Sequence, residues 1–387
     1  MKTIAVFFGG KSVEHDISII TGVQAFHAFD TSIYEPIPIY VSRDGIFYTG
    51  NKIKDIKNYK NLDLLIDNSR RVYIKNIKDK IYLCFDKILG IKKIQIDCAF
   101  LAFHGGEGEN GGFQGFCETI NLPYTGTDVL GSALCMDKIS TKKILLNSDI
   151  PVTKYEVLTK NEFIKNKEES LRNIELKLSY PVFVKPSNGG SSIGISRVKN
   201  KVELINALEL AFSFDLKVLI ENEFIHNTEI NISCLGNYNG EILFSQCEEV
   251  YSDTEFLDFE NKYLKGGKSK KIAHQNGSKG MSSTNRLIPA NISDQMQNQI
   301  KNYAEKAFRD LNCGGVVRID FLVNKKDNSM ILVEINTIPG SLSFYLWEKT
   351  NLSFDKLINK LIELALERYN NKSKLFHTFD SSVLKNI

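Results

Sequence analysis

The segment YPVFVKPSNGGSSIG, residues 180–194, gives the clearest indication of how this chain folds. Its apolar run from Val182 to Lys185 predicts a strand, and the glycines and serines that follow predict a flexible loop. A helical pattern over Lys201 to Phe212 and a second strand over Val218 to Glu221 come next. The segment therefore predicts a compact middle domain with a glycine-rich loop between two strands.

The same segment contains a candidate phosphate site. Backbone N–H groups of a glycine-rich loop can wrap a phosphate, and Lys185 at the end of the strand supplies a positive charge for it. The alternative is an ordinary surface turn with a lysine whose aliphatic stem lies along the protein. The spacing Lys-Pro-x-x-x-Gly-Ser-Ser-x-Gly is uncommon by chance, which favours the phosphate site.

Upstream, two apolar runs predict the buried strands of an α/β domain. Ile4 to Phe8 is closed by two glycines and followed by a helical pattern over Ser18 to Phe29, and Ala99 to Phe103 ends in a polar, glycine-rich loop. Ligands of open α/β sheets gather at such strand ends. Between these units, residues 51–93 contain strand-like segments rich in lysine and asparagine, which we interpret as a peripheral insertion.

Further along the chain, helices are predicted over Asp137 to Leu146 and Glu162 to Lys177. Beyond Glu229 the pattern becomes antiparallel and ends in a hairpin of Val316 to Val323 and Met330 to Ile335. The intervening Tyr263 to Asn285 is rich in Lys, Gly and Ser without apolar periodicity. A loop of this length is either disordered or a functional lid, and we favour a lid.

The final hairpin carries a candidate metal site. Arg318 and Asp320 lie on one arm, Glu334 and Asn336 on the other, and side chains two residues apart share a face of a strand. Asp320, Glu334 and Asn336 can therefore converge across the ladder, with the oxygen ligands that Mg²⁺ prefers. A solvated polar face with Arg318 in a salt bridge is the alternative, and the spacing alone leaves both open.

Three other polar residues stand near strand ends. Glu14 could bind a substrate ammonium or simply cap the following helix. His15 is expected to be structural or to face solvent. Because no second histidine stands at ligand spacing from His104, we expect His104 to position or staple a loop by hydrogen bonds.

Composition excludes several classes of function. The net charge is +3, from 49 basic and 46 acidic side chains, so a strong nucleic-acid footprint is absent. The seven cysteines are scattered, odd in number and form no C-x-x-C pair, which argues against a disulfide framework or a zinc site and favours a reducing cytosol. No apolar run approaches the ~18 to 20 residues of a membrane span.

Taken together, these motifs, from Ile4 to about Gly340, resemble the D-alanine–D-alanine ligase family of the ATP-grasp superfamily. The resemblance is specific because several separated motifs agree in order. It implies an α/β fold, α+β in the C-terminal half, with the three-domain ATP-grasp architecture. We expect a parallel α/β domain at residues 1–127, an ATP-grasp subdomain with the glycine-rich loop at 128–225, and a second one with the lid and metal site at 226–387.

The resemblance implies a set of ATP-binding residues: Lys138, Lys185, Ser192, Glu221, Glu223, Glu229 and Lys262. Lys138 and Lys185 are expected to hold the phosphates, with the loop from Gly189 to Gly194 closing over them. Glu229 is expected to hold the ribose hydroxyls, and Lys262 to reach the γ-phosphate from the lid. Around Glu221 to Glu223 the chain has one residue more than the family pattern.

A second set is implied in catalysis and metal binding: Glu14, Ser191, Tyr263, Arg318 and Gly340, with Asp320, Glu334 and Asn336 as ligands of Mg²⁺, or alternatively of Mn²⁺. Glu14, Ser191 and Tyr263 resemble a hydrogen-bonded trio that holds the first D-alanine. Arg318 and the backbone N–H of Gly340 are expected to stabilise an oxyanion. Relatives that make a D-alanyl-D-lactate ester carry histidine in place of Tyr263, so the tyrosine favours an amine acceptor.

The function implied by the resemblance is that of an ATP-dependent ligase, which joins two D-alanines through an acyl phosphate for peptidoglycan synthesis. The expected partners are ATP and D-alanine, without nucleic acid or membrane, in a cytoplasmic homodimer. Two alternatives stay open. One is a ligase with another acceptor, such as D-serine, and the other is a nucleotide-binding relative that has lost catalysis.

Two departures from the family pattern bear on these alternatives. The familiar Gly-Glu-Asp-Gly block reads Gly-Glu-Asn-Gly at residues 108–111. Five residues past Gly340, where the family usually has a serine for the acceptor carboxylate, this chain has Tyr345. Tyr345 could donate the same hydrogen bond, or Ser341 or Ser343 could substitute, or the acceptor differs from D-alanine.

Overall fold

The computed structural model describes residues 1–86, 90–225, 227–251 and 286–376. The predictions for Lys262, for Tyr263 and for the lid lie outside these residues. Within the described part of the chain, no helix combines the length and apolar character needed to cross a membrane.

The N-terminal part forms one sheet of seven strands: β1 (Lys2–Gly9), β2 (Tyr34–Val41), β3 (Phe47–Thr49), β4 (Arg70–Ile77), β5 (Lys80–Asp86), β6 (Ile91–Ile96) and β7 (Cys98–Leu101). The spatial order is β6-β5-β4-β3-β2-β1-β7. The two predicted apolar runs form β1 and β7, which pair in parallel, and β1 also pairs in parallel with β2, which was not predicted. The other pairs are antiparallel, so the predicted insertion widens the main sheet.

Helices and short helical turns connect these strands: α1 (His15–Ala28), α2 (Leu62–Asp67), α3 (Gly106–Glu109) and α4 (Gly112–Thr119), with 3-10 turns at Asn51–Lys54 and Ile56–Lys60. The strand-glycine-helix order predicted at the N-terminus is therefore present. It places the start of α1 and the loop after β7 at the same edge of the sheet, because the carboxyl ends of β1 and β7 lie side by side.

The middle part has a four-stranded antiparallel sheet of β8 (Tyr155–Thr159), β9 (Val182–Pro186), β10 (Ser196–Val198) and β11 (Lys217–Asn222), in the order β10-β9-β11-β8. The helices are α5 (Val129–Met136), α6 (Lys138–Asn147), α7 (Lys160–Lys165), α8 (Lys167–Lys177) and α9 (Lys201–Ala211). The helix predicted over Glu162 to Lys177 is two helices, because Asn166 leaves the helical region with φ −135° and ψ 52°.

The third sheet contains β12 (Thr228–Asn237), β13 (Ile242–Phe244), β14 (Glu248–Val250), β15 (Arg286–Leu287), β16 (Gly314–Val323) and β17 (Met330–Asn336). The order is β15-β14-β12-β16-β17, and β13 also pairs with β12. The predicted hairpin is β16 and β17, and its predicted arms fall within these strands. The remaining helices are α10 (Asp294–Asp310), α11 (Phe344–Glu348) and α12 (Phe354–Lys372), with a 3-10 turn at Gly340–Ser343.

Three hydrophobic cores lie under these sheets. The core of the N-terminal sheet continues into the last helix, where Leu357, Ile358 and Leu361 of α12 pack in the same cluster as Val6 and Phe100. The third sheet packs on α10 and the middle sheet has its own cluster. The first and last parts of the chain are thus joined by a shared core, while the middle sheet is packed separately.

The segment that leaves the N-terminal sheet is fastened to the start of β16. Thr127 exchanges two hydrogen bonds with the backbone of Gly314, at 3.0 and 3.1 Å. Asn312 donates to Asp128 at 2.7 Å. These contacts fix the third sheet against the edge where the loops after β1 and β7 emerge.

Candidate active site

Four polar residues lie in one row across four neighbouring strands. Glu248 of β14 is paired in register with Asn231 of β12, Asn231 with Asp320 of β16, and Asp320 with Glu334 of β17. Directly opposite residues of a ladder share a face, so all four side chains lie on one side of the sheet.

The three predicted metal ligands are on that same side. Asn336 stands opposite Arg318, two residues along from the Asp320 and Glu334 pair. The ladder shifts register by one residue just after Asp320, where Val333 is the extra residue of β17. The structure therefore brings Asp320, Glu334 and Asn336 together, as the hairpin spacing predicted.

Asp320 accepts hydrogen bonds from two neighbouring side chains. Arg318 donates to it twice, from Nε to Oδ1 and from Nη2 to Oδ2, both at 2.7 Å, and Asn336 donates at 3.0 Å. Burial alone would lower the pKa of Arg318, but the Asp320 charge outweighs burial and raises that pKa well above its usual value. Asp320 is therefore both a predicted metal ligand and the partner of Arg318 in the salt bridge that the alternative interpretation expected.

The donor set fits a hard divalent cation. It consists of two carboxylates and an amide oxygen, without sulfur or imidazole, and Lys138 lies 4.0 Å from Glu334 on the far side. No group of three or more His, Cys, Asp or Glu side chains suited to a metal occurs among the described residues. A cation here would thus have two protein carboxylates and leave room for phosphate oxygens.

A cavity of about 450 Å³ lies between the middle and third sheets and meets this row. Eight of the predicted site residues line it: Lys138, Lys185, Ser192, Glu221, Glu223, Glu229, Asp320 and Glu334. The cavity therefore joins the glycine-rich loop, the two lysines and the carboxylates of the hairpin in one space.

A buried cluster of four residues lines this cavity. Lys185 and Glu221 were predicted from the sequence, and Lys142 and Thr153 were not. Glu221 forms ion pairs with Lys185 and with Lys142, the latter at 2.7 Å, and accepts a hydrogen bond from Thr153 at 2.5 Å. Burial would raise the pKa of Glu221, but the charges of Lys185 and Lys142 outweigh burial and lower it. Two lysines against one glutamate leave the cluster with a net positive charge.

Two further carboxylates line the outer part of the cavity. Glu223 is held by Arg197 through two hydrogen bonds of 2.8 Å. Glu229 accepts a hydrogen bond from Asn231 at 3.1 Å. Glu229 and Asn231 are two residues apart on β12, so their side chains lie on the same face of the third sheet as the polar row.

The glycine-rich loop reaches the N-terminal sheet through Glu14. Ser191 donates a hydrogen bond to the Glu14 carboxylate, and a Cβ at Gly190 would collide with that carboxylate. Ser191 and Ser192 have positive φ angles of 52° and 59°. On the other side of the loop, Lys138 donates to the carbonyl of Gly189 at 2.5 Å. Two members of the predicted trio thus meet, and the third, Tyr263, lies outside the described residues.

A smaller cavity of about 50 Å³ lies behind this contact. It is lined by groups from all three parts of the chain, among them Glu14, Glu109, Lys138, Arg318, Asn336 and Gly340. Arg318 and Gly340, the predicted oxyanion donors, therefore face the same small space as Glu14.

The side chain of Tyr345 lies between Glu248 and Arg286. Its hydroxyl donates to Glu248 at 3.0 Å, and the guanidinium of Arg286 lies 4.2 Å from the centre of its ring. Arg286 also pairs with Glu248 at 2.9 Å. Burial first, and then the Glu248 charge, raise the pKa of Tyr345. The Tyr345 hydroxyl is thus engaged by a carboxylate of the row.

The two serines proposed as substitutes are both buried. Ser341 donates its hydroxyl to Gln24 of α1 at 2.7 Å. The hypothesis that Ser341 or Ser343 replaces the family serine stays a prediction.

The two histidines of the N-terminal loops are structural, as expected. His15 bonds to the carbonyl of Gly10 at 2.6 Å and to the Tyr40 hydroxyl at 3.1 Å. His104 bonds to Thr21 at 2.7 Å, and burial lowers its pKa to about 4. Glu109, five residues later, is a buried carboxyl whose pKa is raised to about 7, first by burial and then by the charge of Glu14.

The arrangement can bind a polyphosphate and activate a carboxylate. The larger cavity is lined by lysines and the glycine-rich loop, which suit phosphate, and by the hard oxygen ligands Asp320 and Glu334. Arg318 and a backbone N–H face the smaller cavity, where negative charge could develop on a reacting oxygen.

Comparisons with known proteins agree with this geometry. Residues 3–127 match the family model described as D-ala D-ala ligase N-terminus, and residues 144–363 match D-ala D-ala ligase C-terminus. The D-alanine–D-alanine ligase of Thermosipho melanesiensis is 39% identical over 386 residues, covering 100% of this chain and 99% of that protein. The ligase of Thermosipho africanus is 38% identical, with 99% and 98% covered.

Solved structures give the same result. The D-alanine–D-alanine ligase from Coxiella burnetii superposes with a TM-score of 0.78 at 27% identity, covering 96% of each chain. The VanG D-Ala:D-Ser ligase from Enterococcus faecalis superposes with a TM-score of 0.75 at 29% identity, covering 94% of this chain and 99% of that one. With two family models spanning most of its length and relatives above 35% identity over nearly all of it, the chain belongs to the D-alanine–D-alanine ligase family.

Proposed function

We propose that this chain uses ATP to join two D-alanines into D-alanyl-D-alanine, the dipeptide needed for peptidoglycan precursors. The observation that carries the proposal is the polar face of the β16 and β17 hairpin, which lies in one cavity with Lys138 and Lys185. Family membership supports the same reaction.

In the first step the carboxylate of one D-alanine attacks the γ-phosphorus of ATP. The bond to the β,γ-bridging oxygen breaks, ADP leaves, and an acyl phosphate forms. Lys138 and Lys185 hold the phosphates, assisted by the loop from Gly189 to Gly194 with Ser192, and offset the charge that develops. Glu14 and Ser191, with Tyr263 as the proposed third member, hold the first D-alanine, and Lys262 is proposed to reach the γ-phosphate.

Asp320, Glu334 and Asn336 are the residues that would hold Mg²⁺ or Mn²⁺. A divalent cation bound there neutralises phosphate charge and aligns the oxygens for transfer. Glu221 and Glu223 would lie on the adenine side of the cavity and Glu229 near the ribose. Five of these residues, Glu221, Glu223, Glu229, Asp320 and Glu334, line the larger cavity, and Asn336 donates a hydrogen bond to Asp320, which supports these assignments.

In the second step the amine of the acceptor attacks the acyl carbon. A C–N bond forms, the amine loses a proton, and the C–O bond to phosphate breaks so that inorganic phosphate leaves. Arg318 and the N–H of Gly340 stabilise the oxyanion of the tetrahedral intermediate. Their shared position at the smaller cavity supports this role.

A second candidate is the same chemistry with another amine acceptor. The observation that favours it is Tyr345, whose hydroxyl is engaged by Glu248 where the family usually has a serine. One of the structural neighbours, VanG from Enterococcus faecalis, is a D-Ala:D-Ser ligase. D-serine is therefore the first acceptor to compare with D-alanine.

The division into units at 1–127, 128–225 and 226–387 is part of the proposal, and so are the cytoplasmic homodimer and the absence of nucleic-acid partners. The separate core of the middle sheet supports the middle unit. A sedimentation measurement of the purified chain tests the homodimer.

The product test uses ATP, Mg²⁺ and a panel of D-amino and D-hydroxy acids, with mass detection of products and a parallel phosphate assay. We expect D-alanyl-D-alanine with one phosphate per dipeptide and no product without D-alanine. A mixed dipeptide as the main product in an equimolar D-alanine and D-serine mixture selects the second candidate. Absence of any D-alanine-dependent phosphate release contradicts both.

A further inference from the structure

The peptide group at Ile338, two residues before Gly340, is held from both sides by one loop of the N-terminal sheet. The Ile338 N–H donates to Glu109 Oε1 at 3.1 Å. The ring of His104 also contacts the backbone of Ile338. His104 and Glu109 thus bracket a single residue.

Glu109 is fully engaged in this contact. Its Oε2 accepts from the N–H of Gly105 at 2.8 Å, and its Oε1 accepts from Thr337 at 3.3 Å in addition to Ile338. The side chain is buried. A carboxylate that accepts three hydrogen bonds from two different loops fixes the distance between those loops.

A third contact holds the residue after Gly340. The N–H of Ser341 donates to the Thr21 hydroxyl at 3.1 Å, and the same hydroxyl lies 2.7 Å from Nε2 of His104. Burial keeps the His104 ring neutral, with its pKa lowered to about 4. The Thr21 hydroxyl thus links the His104 ring to the backbone of Ser341.

The backbone that begins at Ser341 is unfavourable by itself. Ser341, Leu342 and Ser343 have φ angles of 50°, 54° and 50°, in the left-handed region. Non-glycine residues rarely adopt this conformation, and it persists only where surrounding contacts hold it. The contacts from Thr21, His104 and Glu109 are the ones that flank Gly340 on both sides.

We propose that Glu109 is a positioning residue that, together with the His104 and Thr21 contacts, sets the N–H of Gly340 for the second step of the reaction. This inference rests on the proposed function, in which Gly340 stabilises the oxyanion. The hydrogen bonds of Glu109 go to two backbone N–H groups and to Thr337, so we expect its loss to affect the second step more than the first.

The test is the ratio of phosphate released to dipeptide formed. Glu109→Gln keeps the shape but replaces one accepting oxygen by an NH₂ group, which faces an N–H of Gly105 or Ile338. Misplacing a catalytic group by about 1 Å costs about 100-fold, so we expect dipeptide formation to fall by about 10- to 100-fold. Phosphate release falls less, because the acyl phosphate still forms and then hydrolyses, and the ratio rises above one.

Two further variants complete the design. Thr21→Val removes the acceptor for the Ser341 N–H at nearly constant shape, and the same rise in the ratio is expected. Glu107→Gln changes an exposed carboxyl of the same short helix and should behave as wild type. Circular dichroism identifies a variant that does not fold, and Thr21→Val then carries the test alone.

The outcomes separate the inference from the proposed function. A wild-type enzyme that makes no dipeptide from D-alanine overturns the proposed function. An active wild type with folded Glu109→Gln or Thr21→Val variants that keep one phosphate per dipeptide, at any rate, overturns the positioning role.

Discussion

At the scale of single residues, Arg318 combines a structural and a chemical part. Its guanidinium is buried and its two hydrogen bonds neutralise Asp320. Removing one partner of a buried ion pair leaves an uncompensated charge, which is strongly destabilising. The same side chain faces the smaller cavity as a proposed oxyanion donor.

Arg318→Ala is therefore expected to lower both turnover and stability. Turnover should fall by about 10²-fold or more, the usual effect of losing an oxyanion donor. The free energy of unfolding should fall by about 3 kcal/mol because Asp320 loses its counter-charge. Steady-state dipeptide formation and urea denaturation measure the two effects.

Arg43→Ala is the matched control, because Arg43 is exposed and lies 3.8 Å from Asp16. Surface pairs contribute about 0–1 kcal/mol. Near-normal turnover of a folded Arg318→Ala protein would contradict the assigned role of Arg318.

Glu109 gives a prediction for stability as a function of pH. Its pKa is about 7 in the folded protein and its ordinary value is 4.5. Between these values the folded chain binds a proton at Glu109 that the unfolded chain does not, so lowering the pH stabilises the fold through this group. Glu109→Gln removes that contribution. The unfolding free energy of wild type minus that of the variant should grow by roughly 2 to 3 kcal/mol from pH 8 to pH 5.

Urea denaturation of both proteins at pH 8, 7, 6 and 5 provides the measurement. Other titrating groups, including His104, are common to both proteins and cancel in the difference to a first approximation. A difference that stays constant with pH would show that Glu109 keeps an ordinary pKa.

Site residues differ in how far the sequence could predict them. Asp320, Glu334 and Asn336 could be proposed from the two-residue spacing of a hairpin, because that spacing fixes which side chains share a face. Glu109 lies in the Gly-Glu-Asn-Gly block, but its partners Thr337 and Ile338 are distant in sequence. Its role depends on how two loops meet, and local patterns do not contain that information.

At the scale of elements, helix α6 carries two lysines one turn apart. Lys138 and Lys142 are at i and i+4, so both side chains lie on the face toward the nucleotide cavity. The helix itself was predictable from its apolar periodicity. Lys142 was missed because one more lysine on a helix has no distinguishing pattern until Glu221 of β11 is placed against it.

Lys142→Met is expected to weaken ATP binding selectively. The substitution removes the excess positive charge of the cluster and leaves Glu221 paired with Lys185 alone. We expect the KM for ATP to rise about tenfold, which corresponds to roughly 1.4 kcal/mol, while the KM for D-alanine changes little. Steady-state kinetics with each substrate varied in turn measures both constants.

Lys143→Met serves as the control, since Lys143 is the exposed neighbour on the same helix. It should leave both constants at the wild-type values. Equal effects of the two substitutions on ATP would mean that general surface charge, not the buried cluster, controls nucleotide binding.

At the scale of the whole molecule, the last helix ties the end of the described chain to the N-terminal sheet. Arg368 of α12 lies over the Tyr124 ring at 4.5 Å and donates to the carbonyls of Tyr124, at 2.7 Å, and Gly126. The strands and helices of each sheet could be predicted from local patterns, and the division into three units stays a prediction. The widening of the first sheet by β3 to β6 and the docking of α12 depend on tertiary pairing.

Arg368→Ala should loosen this attachment. Hydrogen bonds from a charged group contribute about 1.5–3 kcal/mol, so we expect the free energy of unfolding to fall by about 2 kcal/mol. Turnover at a temperature well below the transition should change little, because Arg368 does not line either cavity. Denaturant midpoints of the variant and of Lys360→Ala, an exposed position on the same helix, provide the comparison. Equal midpoints would show that α12 is held by its apolar face alone.

The extra residue in β17 decides which side of the sheet carries the chemistry. Met330 and Leu332 belong to the core, and Glu334 and Asn336 would follow them there if strict alternation continued. Because Val333 is an extra residue, the side chains after it alternate in the opposite sense, and Glu334 and Asn336 lie on the same face as Asp320. Loss of one residue here would turn a carboxylate and an amide toward α10, whereas length changes in the turn at residues 324–329 would leave the orientation intact. Natural variants of this family should therefore vary in the turn and keep the count of residues in the strand.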